Sequence, residues 1–201
     1  MQREIIAILR GINTKEAPAI AEVLIEAGID KIEVPLNSPS PFESIESLIN
    51  TFGDVAVIGA GTVLQVEQVE HLAAINASMV VSPDCNSDVI KATKRAKMLS
   101  YPGCFTATEC FTALRHGADG LKLFPSFLFG PKGLEALRAV LPKTTPIYAV
   151  GGVGLDNFSD WVGAGATGFG IGSSLYKPGM SLADVRAKAH DIMAAYDAVF
   201  C

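Results

Sequence analysis

The sequence of 201 residues has no long apolar run near its start, where Ile5 to Leu9 falls short of the ~7 residues of a signal-peptide core and the ~18 of a membrane span. The protein is therefore expected to stay where it is made, in the cytoplasm. Cysteine is scarce: Cys85, Cys104, Cys110 and Cys201 form no C-x-x-C pair, and the histidines His71, His116 and His190 share no spacing. This argues against a disulfide scaffold and a structural zinc site. Cys85 and Cys104 are expected just after strands, but neither has the nearby histidine that would activate a thiol. Positive charge is in deficit too, with 16 Lys and Arg against 21 Asp and Glu, a net of −5. That balance opposes non-specific binding to nucleic acid or an anionic membrane, so an anionic ligand needs a local site. No G-x-x-x-x-G-K-[ST] motif is present. Gly163-Ala-Gly165-Ala-Thr-Gly168 has the G-x-G-x-x-G spacing, but it follows a helical stretch and leads into a strand, the reverse of the dinucleotide-binding order. There is no Ser- or Pro-rich linker, and the basic cluster Lys91, Lys94, Arg95 and Lys97 reads as a solvated helix face.

What is present is the composition of one globular domain over residues 1–201, with 49% hydrophobic and 18% charged residues. Short β-branched runs recur, each followed by a turn and then by apolar residues at helical spacing, the βα alternation of a parallel sheet. The strands are predicted at Ile5 to Arg10, Lys31 to Pro35, Ala56 to Thr62, Met79 to Ser82, Met98 to Tyr101, Gly120 to Phe124, Pro146 to Val150 and Gly168 to Gly172. Their mean repeat of about 23 residues holds one strand, one helix and two tight loops, and eight such units predict a closed (β/α)8 TIM barrel. Thr14 with Glu16, Ser40 with Glu43, Ser87 and Asp156 are the predicted N-caps, and Gly28, Gly53, Gly117 and Gly163 the predicted helix stops.

Strand alternation turns Ile32 and Val34 toward the helices and Glu33 into the barrel; it turns Leu121 and Leu123 outward and Lys122 inward beside Phe124. Arg10 and Thr62 end the first and third strands. Four polar side chains thus converge at the C-terminal face of the strands, where barrel active sites sit. A self-satisfied ion pair between Glu33 and Lys122 would stabilise little after desolvation. The chemical reading is that burial and Arg10 depress the Lys122 ammonium, releasing an amine able to attack a carbonyl while Glu33 moves protons. Gly151-Gly152 after the seventh strand, and Gly172-Ser173-Ser174 after the eighth, opening a short helix that ends at Pro178-Gly179, match the phosphate cradle of many barrels. A non-covalent isomerase using Glu33, or a non-catalytic sugar-phosphate binder, would also suit these residues.

Five segments carry a family resemblance: Ile8-Leu9-Arg10-Gly11, Glu33-Val34-Pro35-Leu36-Asn37-Ser38-Pro39, Gly59-Ala60-Gly61-Thr62-Val63, Leu121-Lys122-Leu123-Phe124-Pro125-Ser126 and Ala149-Val150-Gly151-Gly152-Val153. With them the sequence resembles, from about Ile5 to Tyr196, the bacterial 2-keto-3-deoxy-6-phosphogluconate and 2-keto-3-deoxy-6-phosphogalactonate aldolases. The resemblance implies a pyruvate-releasing class I aldolase in which Lys122 forms the Schiff base and Glu33 is proton donor and acceptor. Arg10, Thr62, Pro83, Phe124 and Val150 would bind substrate, and Gly151, Gly152, Gly172 and Ser173 the phosphate. It further implies a 2-keto-3-deoxy sugar-acid phosphate as substrate, a homotrimer, and neither metal nor other cofactor, because the iminium is itself the electron sink. Asp84-Cys85, Phe105 and Phe127 depart from the galactonate pattern around the expected mouth. Val150 stands where the gluconate enzymes carry a threonine, and Pro35 and Asn37 where they have T-x-R, which favours the galactonate epimer.

Overall fold

The computed structural model describes residues 3–200. In chain order the elements are β1 (Ile5–Ile8), α1 (Ala17–Glu26), β2 (Lys31–Pro35), α2 (Pro41–Phe52), β3 (Val57–Gly61), α3 (Val66–Ala74), β4 (Met79–Val81), α4 (Ser87–Arg95) and β5 (Leu99–Tyr101). There follow β6 (Gly103–Cys104), α5 (Ala107–Arg115), β7 (Leu121–Leu123), α6 (Ser126–Arg138), β8 (Ile147–Val150), α7 (Phe158–Gly163), β9 (Gly168–Ile171) and α8 (Leu182–Phe200). The strands are parallel throughout, in the order β5-β4-β3-β2-β1-β9-β8-β7-β6.

The predicted fifth strand, Met98 to Tyr101, forms as β5, and an unpredicted short segment, β6, follows it after Pro102, which has no N–H to give to a ladder. The ring nevertheless closes across the break. Asp119 N–H donates to Ser100 O, Lys122 N–H to Pro102 O at 2.9 Å and Phe124 N–H to Cys104 O, so β5 and β6 act as one stave beside β7. The (β/α)8 barrel is therefore present, with nine strand segments making its eight staves.

Two apolar layers follow from the side-chain alternation. Ile32, Val34, Leu121 and Leu123 belong to the outer core between strands and helices, whereas Ile6, Ile8, Met79, Val81, Tyr101, Tyr148 and Val150 fill the barrel interior. Lysine at position 122 is not alone inside: Lys31 shares the inward face of β2 with Glu33 and is 4% exposed. It sits at the N-terminal end of the strands, paired with Glu4 at 3.1 Å. Among the described residues no helix is long and apolar enough to cross a membrane.

Several punctuation marks move by a residue. Asn86 rather than Ser87 caps α4, its Oδ1 accepting from Asp88 N–H and Val89 N–H. Asn157 rather than Asp156 precedes α7. Asn13 Oδ1 accepts the N–H groups of Lys15 and Glu16 before α1, while Thr14 pairs with the Ser44 hydroxyl instead. Ser40 does precede α2, but in a left-handed conformation and without a capping bond. Gly163 stays inside α7, and the left-handed residue after that helix is Gly165. The segment from Gly163 to Gly168 is an αβ connection, as its order in the chain implies. In the basic cluster, Lys94 turns back to Asp119 at 2.5 Å and is not a purely solvated charge.

Candidate active site

The C-terminal ends of the strands surround a cavity of about 180 Å³. Arg10, Lys122, Phe124, Val150, Gly151, Gly152, Gly172 and Ser173 all line it, so most of the residues singled out in the sequence meet there. Glu33, Thr62 and Pro83 lie outside this lining. Ser174, from the same predicted cradle segment, also lines the cavity, as do Ile8 and Val153, which the sequence marked only within longer motifs, and Gly170, which it did not mark.

β7 sends Lys122 inward, leaving it 6% exposed, with its Nζ 4.7 Å from the centre of the Phe124 ring. Among the described residues no carboxylate lies within ion-pair distance of that Nζ. Burial pulls the ammonium below its ordinary value; nearby Glu33 opposes this and Arg10 adds to it. An amine so placed loses its proton more readily than a surface lysine.

Glu33 stands behind the cavity, 1% exposed, and its buried Oε2 has no hydrogen-bond partner among the described residues. Burial raises its carboxyl to about 7, against the opposing pull of Lys122 and Arg10. A carboxyl near neutrality can both take and give a proton at physiological pH. The neighbouring strand makes room for it: a Cβ on Gly61 would lie 1.9 Å from Glu33 Oε2. Thr62, the next residue, has a left-handed backbone with φ 57°, the kind of strain that clusters at functional sites.

Arg10 extends from the end of β1, where Asn37 Oδ1 accepts a 2.7 Å bond from its Nη1. Ser38 Oγ accepts from Gly11 N–H at 2.9 Å, so a second bond ties the same two loops. This role of Asn37 is invisible in the sequence, because it depends on loops 27 residues apart meeting. Pro83 ends the β4 side of the rim, its carbonyl packed against Gly103.

At the opposite side, Gly151 and Gly152 both take left-handed backbones, φ 91° and 74°, which side-chain-bearing residues rarely adopt in succession. The predicted helix after Gly172 does not form. Leu175 and Tyr176 N–H both donate to Gly172 O, but Lys177 N–H turns to Met180 Sδ and Pro178 has none to give, so the turn does not propagate. Tyr176 OH donates to Glu16 Oε1 at 2.7 Å and fastens this loop to the start of α1.

Cys104 lies within β6 rather than after it, and it clusters with Cys85 and Cys110 away from the cavity lining. Hydrogen bonds with Cys110 and Cys85, together with burial, push the Cys104 thiol up.

An inward, unpaired lysine, a buried carboxyl near neutrality and a glycine turn on one cavity form a constellation that can be compared with known proteins. The family model for KDPG and KHG aldolases matches residues 1–189. The chain belongs to this family. It is 50% identical over 200 residues to a probable 2-dehydro-3-deoxy-6-phosphogalactonate aldolase of Rhizobium meliloti, covering 100% of this chain and 94% of the relative. It is 47% identical to the 2-dehydro-3-deoxy-6-phosphogalactonate aldolase of Escherichia coli, covering 96% and 94%. A solved native KDPGal structure superposes with a TM-score of 0.97 at 45% identity, over 99% of this chain and 97% of that one. More distant, at 26% identity and a TM-score of 0.83 over 98% and 94%, is the KDPG aldolase of Legionella pneumophila with pyruvate captured as a covalent carbinolamine.

Proposed function

We propose that this class I aldolase cleaves 2-dehydro-3-deoxy-6-phospho-D-galactonate to pyruvate and D-glyceraldehyde 3-phosphate through a Schiff base on Lys122. The observation that carries the reading is a buried lysine with no ion-pair partner among the described residues, facing a cavity that ends in a glycine turn. The neutral Lys122 amine adds to the C2 carbonyl, and loss of water from the carbinolamine leaves an iminium. Glu33 takes the C4 hydroxyl proton through a water. The C3–C4 bond then breaks, the aldehyde departs and the bond's electron pair becomes an enamine. Glu33 returns the proton to C3, and hydrolysis releases pyruvate and the free lysine. Arg10 suits the substrate carboxylate, Thr62, Pro83 and Phe124 the body of the substrate, and Gly151, Gly152, Gly172 and Ser173 the phosphate. The covalent carbinolamine of the Legionella relative supports the lysine step. The galactonate relatives near half identity support the substrate over the gluconate epimer.

Val150 lines the cavity and offers only methyl groups. A C4 hydroxyl turned toward it would lose a partner, which costs roughly 1 to 3 kcal/mol. The galactonate epimer is accordingly expected to react faster by roughly 5- to 100-fold in kcat/KM. Steady-state assays of pyruvate release on both epimers test this. Equal values, or preference for the gluconate compound, would make a gluconate or 4-hydroxy-2-oxoglutarate aldolase the better reading. A homotrimer and a cytoplasmic location are part of the same proposal. The exposed apolar side chains of Phe127 and Leu128, adjacent in the chain, support assembly, and light scattering of the purified chain measures it.

A further inference from the structure

β7 and β8 carry the two ends of the proposed site, the lysine on one and the glycine turn on the other. Their parallel register pairs Leu121 with Ile147, Lys122 with Tyr148 and Leu123 with Ala149. The next rung of such a ladder brings Val150 N–H toward Leu123 C=O. Both of these groups bond to one side chain. Ser126 Oγ donates to Leu123 O at 2.7 Å and accepts from Val150 N–H at 2.8 Å, and the residue is fully buried. Leu123 directly follows the lysine and Val150 directly precedes Gly151. A third bond, from Phe127 N–H to Gly151 O at 3.1 Å, fastens the adjoining residue of α6 to the glycine turn itself.

We propose that Ser126 is a positioning residue, its hydroxyl set into the last rung between β7 and β8 so that it fixes the separation of Lys122 from the Gly151-Gly152 turn. A serine hydroxyl is the smallest side-chain group that donates and accepts at once, as this place requires. With alanine, Val150 N–H and Leu123 C=O either close on each other or stay unpaired, and in both cases the glycine turn shifts relative to the lysine. Ser126 does not line the cavity, so it acts through these backbones and not on the substrate. The inference rests on the aldolase reading, with phosphate at the glycine turn.

The phosphorylated substrate must reach both ends of the site, whereas pyruvate engages only the lysine end. The test compares wild type, Ser126→Ala and the near-isosteric Ser126→Cys in three assays: turnover of the phosphorylated substrate, turnover of its unphosphorylated counterpart, and borohydride trapping of the pyruvate imine. For Ser126→Ala the expected result is a KM for the phosphorylated substrate raised about 3- to 10-fold, with pyruvate trapping and the unphosphorylated substrate near wild type. Ser126→Cys should fall between alanine and wild type, and it is read by the same criteria if the alanine variant does not fold. An unchanged KM, or equal losses in all three assays, would overturn the positioning role. Failure of the wild type to form an imine would instead overturn the aldolase reading.

Discussion

The two ends of the barrel interior treat buried charge in opposite ways. β2 sends Lys31 and Glu33 inward two residues apart, one toward each end. At the N-terminal end Lys31 Nζ lies 3.1 Å from Glu4 Oε2 and donates to Arg3 O at 3.5 Å. Glu4 Oε2 also accepts a 2.5 Å bond from Tyr148 OH, and Tyr101 packs edge-on to Tyr148. At the C-terminal end Lys122 rests over an aromatic ring and Glu33 Oε2 has no partner. Burial is similar at the two ends, with Lys31 4% and Lys122 6% exposed. Pairing is what differs. A buried charge with a close partner is part of the frame, since removing that partner leaves a desolvated charge. Two buried ionisable groups kept apart beside a cavity suit the proposed site, where their partners would be atoms that arrive with the substrate.

Exchanging the lysines is the strongest way to break this comparison. Lys122→Arg should abolish turnover, because a guanidinium stays protonated and cannot attack a carbonyl. Lys31→Met should leave pyruvate release close to wild type while lowering stability to urea by about 2 kcal/mol, less than for a fully buried pair because Glu4 keeps some water. Loss of turnover in the second variant with its fold intact would erase the distinction between the ends.

Glu33→Gln comes next. Imine formation should stay measurable, but pyruvate release and proton exchange at the pyruvate methyl should slow by roughly 10² to 10⁴, read by proton NMR in deuterated buffer. The same variant has a stability signature. The folded chain keeps a proton on Glu33 up to about 7, whereas the ordinary value is 4.5. Between those values the unfolded state binds fewer protons, so stability falls as pH rises through the window and is level above it. The contribution is about 3 kcal/mol, and Glu33→Gln should remove that slope from urea melts taken across the window.

Gly61→Ala sharpens the comparison from the neighbouring strand. Its Cβ would lie 1.9 Å from Glu33 Oε2, so the carboxyl or the strand must move. Displacing a proton-transfer group by an ångström is expected to lower kcat by about 10²-fold, with an overpacking loss of about 1 to 3 kcal/mol. Wild-type kcat in this variant would show that the position of Glu33 is not critical.

The cavity end was largely legible in the sequence because period-2 alternation is local: a charged residue between outward aliphatics must point inward, as Glu33 and Lys122 do. The same rule also turns Lys31 inward, a second interior lysine that the reading of Lys122 as the one inward lysine passed over. What the pattern withholds is its partner, since Glu4 precedes a different strand and meets Lys31 only once β1 and β2 pair. The split at Pro102 and the stunted turn after Gly172 both trace to prolines, whose missing N–H can be read in advance, although which ladder or turn loses it depends on neighbours in space. The hydroxyl bridge of Ser126 and the Asn37 hold on Arg10 exist only once separate strands and loops meet, and no local pattern marks them.

Reduction by borohydride in the presence of pyruvate, followed by intact mass and peptide mapping, tests the central distinction most directly. Both buried lysines are offered the same keto acid, and the account predicts one reduced pyruvyl adduct per chain, located on Lys122, with Lys31 unmodified. An unmodified protein, or an adduct on Lys31 or a surface lysine with Lys122 untouched, would contradict it.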